Sequence, residues 1–316
     1  MRVVVSEWMW EEAVDLLRRA ADVRYEPELW REPAALRDAL TGSEALIVRN
    51  QTQIEAGLLD RSPELRVVGR LGSGLDNVDM RELVRRGIRL VSAKGANAVA
   101  TAEFTLLLAL ALARRLPRAA RDAAAGSWSR ADLVGHDLAG GAIGVVGLGQ
   151  VGSLVARRAR AMGMEVLAAH PRRREDDPEL REAGVRLVPL DVMLRVADVV
   201  SLHVPLDRST HHILGRRELA LMKPGALLIN TARGGLVDER ALAEALGEGW
   251  IAGAALDVRE LEPPPLPDRL AAAPNVLLTP HVAGLSAESQ RTACARVAEG
   301  VLAALHEGRV AELLPR

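Results

Sequence analysis

The chain has one cysteine, one tyrosine and one phenylalanine in 316 residues, and aromatic side chains make up only 2% of it. A lone Cys294 excludes an internal disulfide and any metal site built from several thiolates. With so few rings, Leu, Val, Ile and Ala must fill the interior. Neither sign of charge is in excess: 41 basic against 42 acidic residues gives a net charge of −1. No electrostatic footprint for nucleic acid or an anionic membrane is therefore present. Long apolar runs are missing as well. The longest strongly apolar run, Phe104–Ala113, is about half the ~20 residues that a membrane span needs, and Arg114-Arg115 ends it. The opening MRVVVSEWMW has no secretory apolar core. These absences lead to the expectation of a cytoplasmic protein held together by aliphatic packing.

What is present is alternation. Hydrophobic residues make up 49% and charged residues 26%, a globular balance, and the length suits two ordinary domains. The arginines are mostly interleaved with Asp and Glu, which reads as solvated helix faces. Short apolar runs predict strands at Val3–Val5, Ala45–Val48, Val67–Arg70 and Arg89–Val91, with helical patterns between them. A long apolar helix is expected over Ala100–Leu116. A second series of strands follows at Ala142–Gly147, Glu165–Ala169, Val199–His203, Ala226–Asn230, Gly253–Asp257 and Val276–Thr279, and a last helix starts near Ala287. Strands separated by helices predict parallel βαβ units in a doubly wound α/β fold. The expected class is two doubly wound parallel-sheet lobes. One lobe (98–285) is expected to be inserted into the other (1–97 and 286–316). A cleft between the lobes is expected, with hinges near Ala96–Ala98 and Gly284–Leu285.

The segment Ile143-Gly-Val-Val-Gly-Leu-Gly-Gln-Val-Gly152 sets Gly147, Gly149 and Gly152 in GxGxxG spacing between a strand and a helix. In that context Gly147 permits the tight turn, Gly149 lets the backbone approach a pyrophosphate, and Gly152 lets helix pack on strand. The pyrophosphate then meets the positive end of the helix dipole. At the end of the next strand, where an acid selecting a free ribose 2′-hydroxyl is expected, the chain reads His170-Pro-Arg172-Arg173-Arg174. Those arginines suit a 2′-phosphate, so NADP(H) is favoured, with NAD(H) the alternative.

Three more segments place polar side chains at the carboxyl ends of strands, where open α/β sheets bind ligands. They are Asn230-Thr-Ala-Arg233-Gly-Gly, Asp257-Val-Arg-Glu-Leu-Glu262-Pro-Pro and Thr279-Pro-His281-Val-Ala-Gly284. Other stretches accompany them: Gly69-Arg-Leu-Gly-Ser-Gly-Leu-Asp-Asn77, His203-Val-Pro-Leu206, Leu236-Val-Asp238 and Ala255-Leu-Asp257. As an ordered set spanning nearly the whole chain, these motifs resemble the D-isomer-specific 2-hydroxyacid dehydrogenase family, which implies a Rossmann dinucleotide-binding domain (98–285) inserted into a flavodoxin-like substrate domain (1–97 and 286–316).

The resemblance implies Arg233 as a clamp on a substrate carboxylate, His281 as general acid/base and Glu262 as its partner. Those residue types suit reduction of a 2-keto acid, which needs a fixed cation, a donor titrating near neutrality and an orienting group. It implies that Ser73 and Gly74 offer amides to the substrate. It further implies that Gln150, Val151, His203, Val204, Pro205, Thr210, Thr231, Ala232, Asp257 and Gly284 line the cofactor groove. Arg49, in Arg-Asn-Gln-Thr after a strand, and Arg70 are extra cations that suggest a second anionic group on the substrate. These stretches resemble phosphoglycerate and sulfolactate dehydrogenases, while His-Pro-Arg is similar to NADPH-linked hydroxypyruvate and glyoxylate reductases.

The end of the chain soon after the last helix implies a form without the regulatory extension of some phosphoglycerate dehydrogenases. In this family the long apolar helix builds a homodimer. Neither a metal site nor a nucleic-acid or membrane partner is expected. His211 and His212 are adjacent and do not easily converge on one ion, His136 and His306 are expected at the surface, and Trp8, Trp10 and Trp30 read as packing or rim residues. Two rivals share the architecture: formate and phosphite dehydrogenases, the former with Gln where this chain has Glu262, and a dinucleotide-sensing transcriptional corepressor.

Overall fold

Runs such as Val3–Val5, Ala45–Val48 and Val199–Leu202 are apolar at successive positions, as a strand with both faces covered by helices must be. In the computed structural model, which describes residues 1–170, 180 and 184–307, they lie in two parallel sheets. Strands β1 (Arg2–Val5), β2 (Asp22–Tyr25), β3 (Ala45–Val48), β4 (Val67–Arg70) and β5 (Arg89–Ser92) run in the order β2-β1-β3-β4-β5. The second sheet contains β6 (Ala142–Val146), β7 (Glu165–Ala169), β8 (Val185–Leu187), β9 (Val199–Leu202), β10 (Leu227–Asn230), β11 (Gly253–Leu256) and β12 (Val276–Leu278). Its order is β12-β11-β10-β9-β6-β7-β8, and every pairing in both sheets is parallel. The first order is flavodoxin-like, and the second is the Rossmann order with a seventh strand.

The chain divides into two compact units, Met1–Asn97 with the segment from Leu285 onward, and Ala98–Gly284. The expected cofactor contacts Arg172 and Arg173 lie outside the described residues.

Two strands escape a reading of apolar runs. β2 (Asp-Val-Arg-Tyr) and β8 (Val-Arg-Leu) each pair on one side only, and their sequences alternate polar with apolar residues as an edge strand allows. The long helix is also shorter than expected. It runs over Ala98–Ala113 and breaks at Arg115, whose φ of 51° is left-handed, and Pro117 then opens a second helix, Leu116–Ala124.

Packing in the first unit depends on the return of Ala287–His306, which buries Ala293, Val297 and Val301 among Val3, Ile47 and Val67. Val297 and Val301 each contribute about 1.5–3 kcal/mol on leaving water. Ser286 caps that helix, accepting from Ser289 N at 3.1 Å while its own amide donates to Ser289 Oγ at 3.2 Å. Gly69 on β4 permits the approach: a Cβ there would lie 2.8 Å from Val297 Cγ1 and 2.9 Å from Val301 Cγ2.

In the second unit, Leu106, Leu108 and Leu112 of the long helix pack with Val155, Ala156 and Ala159 of the helix Gln150–Ala161 over β6. Val99, Leu107 and Leu110 remain exposed on the same helix. Among the described residues no helix is long and apolar enough to cross a membrane.

Overpacking a contact like that at Gly69 costs about 1–3 kcal/mol. Gly69→Ala is therefore expected to destabilise the first unit by that amount in urea melts. A midpoint equal to that of the wild-type chain would contradict the packing described.

Candidate active site

Three neighbouring strands end in the three polar segments, and because they are parallel all three open on one edge of the sheet. Arg233 follows β10, Glu262 follows β11 and His281 follows β12. Buried polar side chains fix each turn. Asn230, fully buried, donates from Nδ2 to the Arg233 carbonyl at 2.8 Å and accepts from Ala232 N at 3.0 Å. Arg233 Nη1 also donates to the Ala232 carbonyl at 2.6 Å.

Asp257, 1% exposed, does the same for the next turn. Its carboxylate accepts from Thr279 Oγ1 at 2.6 Å and from the amides of Val282 and Ala283, each at 2.8 Å. Its carbonyl accepts from His281 N at 2.8 Å. His281 sits at φ 57°, a left-handed conformation that costs a non-glycine residue roughly 1–2 kcal/mol. The grip of Asp257 offsets that cost, since hydrogen bonds to a charged group contribute about 1.5–3 kcal/mol each.

Glu262 joins the two turns chemically. Its Oε2 lies 2.8 Å from His281 Nδ1, and its Oε1 accepts from Arg259 N at 3.0 Å. Hydrogen bonding to Glu262 raises the His281 pKa above its ordinary value, against opposing burial; the charges of Glu262 and Asp257 add to the rise and Arg233 subtracts from it. Burial works to raise the Glu262 pKa, but the bonds from His281 and Arg259 and the charge of Arg233 hold it below the ordinary range. Both partners therefore favour the ion pair. Since Nδ1 is engaged, Nε2 is the nitrogen left to meet a reactant. A cation, a carboxylate and an imidazole of raised proton affinity are thus set on one edge of the sheet.

Residues 106–283 match the model of the D-isomer specific 2-hydroxyacid dehydrogenase NAD-binding domain. The chain belongs to the D-isomer-specific 2-hydroxyacid dehydrogenase family. It is 43% identical over 287 residues to an (S)-sulfolactate dehydrogenase of Chromohalobacter salexigens, covering 91% of this chain and 93% of that protein. It is 39% identical over 303 residues to a D-3-phosphoglycerate dehydrogenase of Archaeoglobus fulgidus, covering 96% of this chain but only 57% of that longer protein. Among solved structures, the TT0316 protein of Thermus thermophilus superposes with a TM-score of 0.90 at 38% identity, covering 97% of each chain.

The features of a 2-hydroxyacid dehydrogenase continue along the same edge. The glycine loop follows β6, next to β9, where the strand order reverses. Gly147 has φ 97°, and a Cβ on it would lie 2.7 Å from the His203 carbonyl; a Cβ on Gly152 would collide with the Gly147 carbonyl. A Cβ on Gly149 meets nothing within 4 Å, and no side chain caps the helix that begins at Gln150 and Val151. The loop thus leaves room and free amides for an anion, and its residues fit the pyrophosphate of a dinucleotide.

His203 directly follows the strand beside it. Its Nε2 lies 2.8 Å from Ser201 Oγ, and burial pushes its pKa down to about 3, so the ring is neutral. Val204 is buried and Pro205 exposed, and Thr210 Oγ1 donates to the Pro205 carbonyl at 2.7 Å, closing that loop on itself. The Thr231 hydroxyl lies 2.8 Å from Thr105 Oγ1, which ties the start of the Arg233 turn to the long helix. Ala232 and Gly284 are half-buried, and His170 directly follows β7.

In the first unit the loop after β3 is likewise held by a buried carboxylate. The Glu7 carboxylate, 2% exposed, accepts from the amides of Arg49, Asn50, Gln51 and Thr52 at 2.9–3.1 Å, and Arg49 lies over the Trp8 ring. Ser73 Oγ donates to Asn97 Oδ1 at 3.0 Å and accepts from Gly95 N at 3.2 Å; Gly74 beside it and Arg70 at the end of β4 are half-buried. Among the described residues no cluster of three His, Cys, Asp or Glu could hold a metal ion. Glu7, Asn230 and Arg259 were not legible as site residues; the only signal was a polar residue at or just past the end of an apolar strand.

Replacing Glu262 with Gln removes the largest cause of the raised His281 pKa. The ring titration, followed by NMR in histidine-labelled protein, is expected to fall toward the ordinary ~6.5. A midpoint unchanged from that of the parent chain would mean that Glu262 does not set the proton affinity.

Proposed function

We propose that the chain reduces a small 2-keto acid to its D-type 2-hydroxy acid, and catalyses the reverse, with NADP(H) favoured over NAD(H). The observation that carries this reading is the Glu262–His281 pair beside Arg233, on the sheet edge that also holds the glycine loop. The chain spans only 57% of the length of the Archaeoglobus fulgidus relative.

A bound nicotinamide cofactor supplies the hydride that adds to the keto carbon. Gly147, Gly149 and Gly152 with the amides at Gln150 and Val151 hold its pyrophosphate; His203, Val204, Pro205, Thr210, Thr231, Ala232 and Gly284 line its path. Arg233 binds the substrate carboxylate and polarises the ketone. His281, protonated, gives its Nε2 proton to the keto oxygen, and the Glu262 carboxylate stabilises the imidazolium until then. In oxidation neutral His281 takes the hydroxyl proton, and the pair recharges. Asp257 acts by shaping the His281 turn.

His170 and the arginines that follow it in sequence support selection of a 2′-phosphate. Arg49 and Arg70, with amides from Ser73 and Gly74, support a substrate bearing a second anion such as sulfonate or phosphate. The exposed Val99, Leu107 and Leu110 support a homodimer through the long helix. The Arg–Glu–His constellation does not by itself exclude a dinucleotide-sensing corepressor on the same fold, and turnover decides between the two readings.

Oxidation of NADPH and NADH, measured in parallel against glyoxylate, hydroxypyruvate, 3-sulfopyruvate and 3-phosphohydroxypyruvate, tests the reading. Turnover is expected, faster with NADPH and best with a keto acid carrying the second anion; no turnover on any pair would sink it. His281→Ala is expected to lose about 10²–10⁴-fold in kcat, the range of positioned acid catalysis. Because the protonated ring is the donor, the rate of reduction should fall as pH rises through the raised His281 pKa. A rate of reduction that climbs with pH through that range would contradict the assignment.

A further inference from the structure

Between the Arg233 turn and Glu262 lies a charged residue that the chemistry above does not use. Arg259 follows β11 by three positions, and its side chain is only 8% exposed. Both faces of its guanidinium fork are gripped. Nε and Nη2 donate to the two oxygens of Glu239, each at 2.9 Å, and Nη1 and Nη2 donate to the two oxygens of Asp268 at 2.7 and 3.0 Å. Glu239 opens the helix Glu239–Gly247, and its Oε1 also accepts from Glu260 N at 2.8 Å. Asp268 also accepts from Leu270 N at 3.0 Å. Such bidentate pairing fixes direction as well as distance.

The backbone of the same residue touches both candidate catalytic turns. Arg259 N donates to Glu262 Oε1, the oxygen not used by His281. The Arg259–Glu260 peptide lies flush on Gly234, the neighbour of Arg233, so closely that a Cβ on Gly234 would collide with the Arg259 carbonyl group. Two segments far apart in sequence thus meet on one short stretch of backbone, and the buried fork holds that stretch in place.

We propose that Arg259 is a positioning residue for the reaction: clamped by Glu239 and Asp268, it aims Glu262 at His281 and seats the Arg233 turn against the same peptide. This rests on the roles proposed for Arg233, Glu262 and His281. A lysine cannot replace the fork, because one ammonium offers three donors where two carboxylates here receive four bonds. A loosened 259–262 segment weakens the Glu262–His281 bond and leaves Asp257 and Arg233, the other charges facing the imidazole, to set its proton affinity with opposing signs.

The test is the His281 ring titration by NMR in the intact chain, for the parent, Arg259→Gln and Arg259→Lys, beside the pH profile of keto-acid reduction. In Arg259→Gln the titration midpoint is expected to fall by about 0.5–1 unit as the charge-stabilising bond weakens. The alkaline limb of the profile should move down with it, kcat should fall roughly 10-fold or more, and the KM for the dinucleotide should stay put. Arg259→Lys should shift both midpoints in the same direction by less, and it decides the matter if the Gln variant does not fold. A folded variant that melts lower yet keeps the parent midpoint and profile would overturn the proposal, because a merely structural arginine behaves that way. An inactive parent chain with the titration shift intact would instead defeat the proposed reaction while leaving the positioning role standing.

Discussion

The buried Asp257 carboxylate is the constraint on which the rest of the site depends. It ends one strand of the sheet and accepts three hydrogen bonds from the turn that ends the next, while its own amide donates to the Asn230 carbonyl on the strand before. A carboxylate at 1% exposure would be costly to bury without such partners. With them it fixes a turn whose central histidine holds a left-handed backbone, a strained conformation of the kind that persists where surrounding structure over-determines it. The backbone of His281 is thereby held where Nδ1 lies 2.8 Å from Glu262 Oε2.

The same device recurs wherever the chain leaves a sheet. Asn230 holds the Arg233 turn, Arg259 holds the approach to Glu262, and Glu7 collects four amides of the loop after β3 in the first unit. Strands supply rigidity, and their carboxyl ends supply position; the connecting turns by themselves would supply neither. Within the second sheet, the order β12-β11-β10-β9-β6-β7 lays His281, Glu262, Arg233, His203, the glycine loop and His170 along one edge. Neighbouring strands are about 4.8 Å apart, so His281 and His170 stand several strands apart, on opposite sides of the glycine loop.

Much of this was legible in the chain before any coordinates. The glycines are readable because each satisfies a backbone requirement: Gly147 at positive φ against a carbonyl, Gly152 where helix meets strand. Both sheets follow from apolar runs, and the family follows from an ordered set of short motifs. The edge strands β2 and β8 were missed because a half-exposed strand carries charge where an interior one carries valine. Arg259 was missed for a different reason. An arginine among acids reads as a solvated face, and only the fold brings Glu239 and Asp268, 20 and 9 residues away, around it. Asp257 was legible as a site residue, but its grip on the His281 turn depends on residues 22–26 positions further on.

In the proposed reaction Arg233 and His281 bracket one 2-keto acid, with Glu262 behind the imidazole. A crystal structure of the chain with dinucleotide and oxamate, an unreactive analogue of a 2-keto acid, tests it most directly. The oxamate carboxylate is expected on the Arg233 guanidinium and its amide oxygen within hydrogen-bond reach of His281 Nε2, with the Nδ1–Glu262 bond kept. Oxamate bound away from both side chains, or an imidazole turned from Glu262 in the complex, would contradict it.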